Sequence, residues 1–187
     1  MEKIKTGWTL PPMPLPIALL GANVSGKPNF FTIAWFTMLR DNPPLIGAAM
    51  GKTYHTKKGI DENKTFSLNI PSTHMAEIVD YCGLYSGSQV DKSRLFEVFY
   101  GDLETAPMIK ECPLNIECRM IDSKNFETMV LIIGAIVQVY CEDKYLSENK
   151  PDLRKMDPMM FFMPEGPYIR TGEVVARAFE VGKNYGK

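Results

Sequence analysis

The stretch Asn29-Phe30-Phe31-Thr32-Ile33-Ala34-Trp35-Phe36-Thr37 decides the reading of this chain. It is rich in aromatic and β-branched residues, the composition of a strand, and the reading extends it over Asn29–Leu39. On a strand of period two, Asn29, Phe31, Ile33, Trp35 and Thr37 share one face, and Phe30, Thr32, Ala34 and Phe36 the other. Polar residues set into an aromatic strand suit either a core strand or the wall of a site for a flat heteroaromatic ligand with a few donors. Before it, Leu15–Ala22 reads as a first strand, and Val24-Ser25-Gly26-Lys27-Pro28 as a turn. After it, Asp41-Asn42-Pro43-Pro44 stops pairing, because proline cannot donate to a ladder. Leu45–Met50 is a third short strand, and the three suggest an antiparallel meander.

Beyond this meander the chain alternates without a βαβ rhythm. Thr53–Asn63 has helical composition, Thr65–Ile70 is a strand, and Met75, Ile78, Val79 and Cys82 recur at helical spacing behind Pro71-Ser72-Thr73. Gly83–Ser93 is a Gly/Ser-punctuated loop. In Leu114–Met120 apolar and polar residues alternate, the pattern of a half-buried strand. Met129–Tyr140 is apolar on both faces, as for a strand with core on one side and a partner subunit on the other. Asp157–Phe162 and Tyr168–Gly172 are late strand or loop segments. The fold class expected is mainly β, a small antiparallel barrel with helical insertions.

Composition bounds the function. With 187 residues the chain fits one domain, and 45% hydrophobic against 23% charged residues is globular. Lys+Arg 21 against Asp+Glu 22 removes the electrostatic case for a dedicated nucleic-acid or anionic-membrane binder. Gly 14, Pro 14 and Met 12 point to many turns and adaptable packing. Cys82, Cys112, Cys118 and Cys141 lack a zinc spacing, so the expectation is no metal and four reduced thiols. The prolines at 11, 12, 14 and 16 would break a signal-peptide core, and the apolar run Met129–Val137 is far shorter than the ~20 residues that span a bilayer. A cytoplasmic protein follows as the expectation.

No G-x-G-x-x-G, P-loop, nucleophile elbow or H-E-x-x-H is present, so no catalytic residue is assigned. What remains is the aromatic strand, the loop and Lys52-Thr53-Tyr54-His55-Thr56, where a strand gives way to a helix. A helix start offers unpaired N–H groups and the positive dipole end, which with Lys, His and two hydroxyls suits a phosphate. The same residues also read as a Thr53 N-cap flanked by solvated Lys52, Lys57 and Lys58.

Taken together, these segments resemble the flavin reductase-like family, and its flavoredoxin branch above all. The family strand N-x-x-T-x-A-W is matched by Asn29, Thr32, Ala34 and Trp35, and its D-P-P by Asp41-Asn42-Pro43-Pro44 with one residue inserted. A K-x-T-H-T-type segment is matched by Lys52 to Thr56, F-x-x-N-I-P by Phe66 to Pro71, and C-G-x-x-S-G-x-x-x-D-K by Cys82 to Lys92. Tyr168, Gly172-Glu173, Phe179 and Gly182-Lys183 extend the likeness over residues 10–183. The resemblance implies a split β-barrel, an antiparallel Greek-key barrel, forming one domain over 1–187, binding FMN non-covalently and working as a homodimer. It implies Asn29, Lys52, Thr53, His55 and Thr56 near the phosphate and ribityl chain, and Thr32, Ala34 and Trp35 beside the flavin. Ser86, Gly87 and Lys92 would come from the loop, with Lys92 toward the polar edge of the flavin. Phe162 is expected to cover it. One departure is that family members often carry a histidine before the long apolar strand, whereas Asn125-Phe126-Glu127-Thr128-Met129 has none.

The function implied is electron transfer through FMN, with NAD(P)H or another small molecule, or a protein, as electron donor and acceptor. A non-enzymatic flavin carrier, sensor or dimeric interaction module on the same fold is the alternative. A heme- or pyridoxal-phosphate-binding split barrel stands further off.

Overall fold

The computed structural model describes residues 1–7 and 10–186. In chain order its elements are β1 (Met13–Pro16), β2 (Ala18–Val24), β3 (Lys27–Ile33), β4 (Phe36–Asp41), β5 (Pro44–Gly51), α1 (His55–Asn63), β6 (Thr65–Ile70), α2 (Ala76–Leu84), β7 (Val98–Phe99) and β8 (Met108–Ile109). Then follow β9 (Leu114–Asn125), β10 (Met129–Cys141), β11 (Leu146–Ser147), β12 (Lys150–Pro151), α3 (Leu153–Met156), β13 (Met159–Met163) and β14 (Tyr168–Arg170). The main sheet runs β3-β2-β6-β9-β10-β5-β4, and every pairing in it is antiparallel. Its two edges, β3 and β4, are consecutive in the chain. The sheet order brings its two edges to the one join between them without pairing them, the open architecture of a split barrel.

That join corrects the expected strand Asn29–Leu39, which is two strands parted at Ala34 and Trp35. The front half pairs with β2 and the back half with β5, while the Trp35 carbonyl accepts from Ala49 N at 2.8 Å. Both neighbours of the expected meander are real, but each is served by a different half. The break also shifts the alternation: Ile33 and Phe36 pack against the same core, and Trp35 turns away from it, half exposed. The expected first strand is likewise parted at Ile17, with β1 pairing to β13 instead of the barrel.

Two apolar clusters explain the burial of β2 on both faces. Ala18, Leu20 and Ala22 point into the barrel with Ile46, Phe66 and Ile132, whereas Ile17 and Leu19 join Phe30, Val79 and Phe96 beneath α2. Helix α1 lies across β2 at a distance only a glycine allows: a Cβ at Gly59 would sit 2.2 Å from the Asn23 carbonyl oxygen. Its first residue is His55, preceded by Tyr54 in extended conformation, so Thr53 is not its cap and no side chain caps it. Strand β9 runs on past Met120 to Asn125 because it pairs with β10 through two register shifts. On β10, Val130, Ile132 and Gly134 are buried, while Leu131, Ile133 and Ala135 on the outward face are half-buried. No helix among the described residues is long and apolar enough to cross a membrane.

Candidate functional site

Where the barrel edges part, two cavities meet. The first, about 430 Å³, is apolar, with walls from Phe31, Trp35, Tyr54, Met129, Phe161 and Met163 and with Thr32 and Ala34 on its rim. The interruption between β3 and β4 is what turns Trp35 into it, 47% exposed, with its indole Nε1 donating to Met163 Sδ at 3.4 Å. Phe31 and Tyr54 meet edge to face, centroids 5.4 Å apart at 82°. Such a wall offers flat apolar surface with a few polar atoms at its margin, which suits a planar heteroaromatic ring.

The second cavity, about 360 Å³, shares Phe31, Thr32 and Tyr54 with the first and is polar. Thr53, His55 and Thr56 bring the start of α1 to it, and Ser86, Gly87 and Lys92 bring the loop after α2. The first turn of α1 holds no acidic side chain, so its free N–H groups and positive dipole end face the cavity uncompensated. Asn29 Nδ2 donates to Thr56 Oγ1 at 2.6 Å, fixing the hydroxyl from behind. His55 Nδ1 is buried without a hydrogen-bond partner. An unpaired buried polar atom is costly, and this one belongs to a residue that lines the polar cavity. Burial holds the His55 imidazole below the ordinary histidine range. The Lys58 and Lys92 charges push the same way, and Glu62 opposes them. His55 therefore waits as the neutral base.

The loop is pinned before any ligand arrives. Lys92, 2% exposed, donates to the Cys82 carbonyl at 2.8 Å and the Phe30 carbonyl at 3.0 Å, tying the loop to α2 and β3 at once. Burial holds its ammonium below the ordinary lysine range. The neighbouring Cys82 thiol is pushed up to about 11, again by burial, with Lys92 pulling the other way. Cys82 is thus a protonated, unreactive thiol at neutral pH. Gly87 packs so tightly that a Cβ would lie 2.0 Å from Asn29 Oδ1 and 2.8 Å from His55 Cδ2. Thr32 Oγ1 donates to the Val79 carbonyl, so the strand that walls the cavity is also locked to α2.

Of the residues expected from the sequence, Thr32, Ala34 and Trp35 line the apolar cavity, and Thr32, Thr53, His55, Thr56, Ser86, Gly87 and Lys92 the polar one. Asn29 stands behind Thr56 and Gly87. Two residues lie elsewhere. Lys52 Nζ donates to the Glu127 carbonyl at 3.2 Å, tying α1's approach to the β9–β10 hairpin. Phe162 lines neither cavity, because β13 alternates and its register with β1 turns Phe161 and Met163 inward instead. Phe31 and Tyr54, shared by both cavities, lie between the positions that the family resemblance marks. Met129 and Met163 come from distant strands, and no local pattern marks them. The described residues hold no group of His, Cys, Asp and Glu that could bind a metal.

Comparison with known proteins gives consistent matches. Residues 10–163 match the model of the flavin reductase like domain family. The crystal structure of flavoredoxin from Methanosarcina acetivorans superposes with a TM-score of 0.94 at 46% identity, over 98% of each chain. Flavoredoxin of Desulfovibrio vulgaris (Miyazaki F) superposes with a TM-score of 0.89 at 32% identity, over 98% of this chain and 100% of that one. An uncharacterised protein of Archaeoglobus fulgidus is 30% identical over 142 residues, 75% of this chain and 79% of that protein.

Proposed function

The chain belongs to the flavin reductase like domain family, and from that premise we propose that it is a redox flavoprotein of the flavoredoxin type that binds FMN non-covalently. The observation that carries the reading is the pairing of an apolar, aromatic-walled cavity with a polar one around shared Phe31, Thr32 and Tyr54. FMN is divided in the same way, into a flat ring system and a chain ending in a dianionic phosphate. The unpartnered His55 Nδ1 and the uncompensated start of α1 fit the phosphate end. Phe31, Trp35, Tyr54, Phe161 and Met163 would hold the ring, and Thr53, His55, Thr56 and Ser86 the phosphate and its chain.

Bound FMN supplies the electron-transfer chemistry. The chain's own residues have three tasks. Trp35, Phe161 and Met163 exclude water and orient the ring. Lys92 and Gly87 set the loop, and through it the width of the polar cavity. His55 and Thr56 anchor the phosphate, so that the ring is held by its tail. The whole of 1–187 reads as one such domain, and the half-buried outward face of β10 supports a homodimer. Buried, unpaired Cys82, Cys112 and Cys118 accord with a reducing, cytoplasmic compartment.

The test is titration of the purified protein with FMN and with riboflavin, followed by fluorescence quenching. FMN should bind tightly and raise the melting temperature, riboflavin should bind far more weakly, and Thr56→Ala should weaken FMN by about 1–2 kcal/mol. No binding of either flavin would sink the reading. Anaerobic mixing of the loaded protein with NADH and with NADPH then separates donors: bleaching by either identifies a nicotinamide donor, and bleaching by neither favours a flavin carrier or a protein-to-protein electron shuttle.

A further inference from the structure

The segment after β14 is built to leave its own body. Residues 172–183 and 185–186 are all exposed. Among the described residues, no hydrogen bond or ion pair links 171–186 to the rest of the chain, and the backbone bonds it makes, such as Val181 N to the Arg177 carbonyl, stay inside the segment. Yet it is not a polar tail. Val174, Val175, Val181 and Tyr185 are strongly exposed, and Phe179 is 96% exposed. Phe179 also has φ of 64°, the left-handed region that an aromatic residue seldom occupies without something to hold it there. An apolar arm that makes no hydrogen bond or ion pair with its own body offers its exposed side chains to a surface from elsewhere.

A matching surface lies on the outward face of the barrel. On β10, Leu131, Ile133 and Ala135 point away from the core, and Leu131 meets the exposed Leu39 of β4 across Gly47, where a Cβ would come within 3.1–3.3 Å of both. Asp122 and Lys124, paired with Ile133 and Leu131, edge this aliphatic strip with charges of both signs. The arm carries the same mixture, with Glu173, Arg177, Glu180 and Lys183 between its apolar residues. Fully extended, residues 171–177 would reach about 23 Å at roughly 3.3 Å per residue, enough to cross a seam between two subunits.

We infer that residues 171–186 form an exchange arm: in the homodimer, on which this inference rests, the arm of each copy lies along the outward strip of Leu39, Leu131, Ile133 and Ala135 of the other. Exchange accounts for both unpartnered surfaces with one contact, and its reciprocity matches a two-fold interface.

The experiment places the photocrosslinker p-benzoylphenylalanine at position 179 of the full chain, alongside a chain ending at Arg170. Irradiation should give an adduct of twice the chain mass, with the crosslinked peptide inside 36–49 or 129–141. Removal of the arm should raise the dimer dissociation constant at least a hundredfold while circular dichroism stays unchanged, because the arm is exposed and hydrogen-bonds only within itself. A full chain that is dimeric by light scattering but gives only intrachain adducts, or none, overturns the arm. So does an arm-less chain that dimerises as well as the full one. A full chain that is monomeric overturns the homodimer reading itself, and FMN titration tests the flavin reading separately.

Discussion

The polar and apolar cavities touch, share three residues and differ in how they are held. The polar one is finished in the free protein. Its loop is clamped by a buried ammonium, its threonine is fixed by Asn29, and its backbone is packed against Asn29 and His55 with no room for a Cβ. The apolar one is bounded by side chains that keep half their surface in water, among them Trp35 and Tyr54. A charged end must be met by donors already in place, since reorganising dipoles around an anion costs most of what the contact yields. A flat ring needs only surface, which can close on it. The comparison predicts that changes on the polar side cost structure and affinity together, and that changes on the apolar side cost affinity alone.

The largest effect should come from Gly87→Val. The added side chain would drive Asn29 from Thr56 and press on His55, and overpacking of this kind costs about 1–3 kcal/mol. FMN affinity by fluorescence titration should fall by roughly one to two orders of magnitude. Equal affinity would show that the polar cavity is not preformed, and would break the comparison. Next in size is Lys92→Met, which keeps the apolar stem and removes both hydrogen bonds to the Phe30 and Cys82 carbonyls. Its expected cost is about 1–2 kcal/mol of stability by urea denaturation, from carbonyls left without their donor. The loss should appear in the free protein. A loss seen only with FMN present would mean that Lys92 serves the ligand and not the loop.

Trp35→Ala sharpens the other side. Among the described residues the Trp35 side chain has one polar contact, to Met163, and nearly half its surface is in water, so unfolding stability should stay within about 0.5 kcal/mol of the parent. FMN should bind about 1 kcal/mol more weakly, the value of an aromatic contact. A fall in stability as large as for Lys92→Met would show that the apolar wall is structural as well.

The two cavities were also unequally legible. The polar one is local: Lys52-Thr53-Tyr54-His55-Thr56 marks the start of a helix, and helix starts are set by neighbours in sequence. Only Lys52 lies outside it, because the β9–β10 hairpin offers it a carbonyl that no local pattern announces. The apolar cavity is assembled from β3, β4, β10 and β13, and depends on register. Met159-Met160-Phe161-Phe162-Met163 is apolar at every position, so the parity that selects Phe161 over Phe162 is invisible until β1 pairs with it. The break at Ala34 and Trp35 is hidden for a similar reason. No glycine or proline marks it, and it arises because the two halves of the strand follow different partners around the barrel.

The smallest effect isolates the anion. His55 is neutral at pH 7 because burial, Lys58 and Lys92 outweigh Glu62. In the free protein a folded-state histidine held below its unfolded value binds fewer protons than the unfolded chain. Stability should then be full above about pH 6.5 and decline as pH falls through that value toward the lowered one. A bound dianion reverses the balance, since its charge opposes those of the lysines and favours imidazolium. FMN binding should therefore take up a fraction of a proton near pH 7, measured by calorimetry in buffers of different ionisation heat, and FMN affinity should rise a few-fold between pH 8 and about pH 6.5. Riboflavin has no phosphate and should show neither effect, and His55→Gln should abolish both for FMN while leaving the riboflavin affinity unchanged. Equal pH dependence for the two flavins would place the phosphate away from His55. The polar cavity would then be preformed for some group other than the charge it faces.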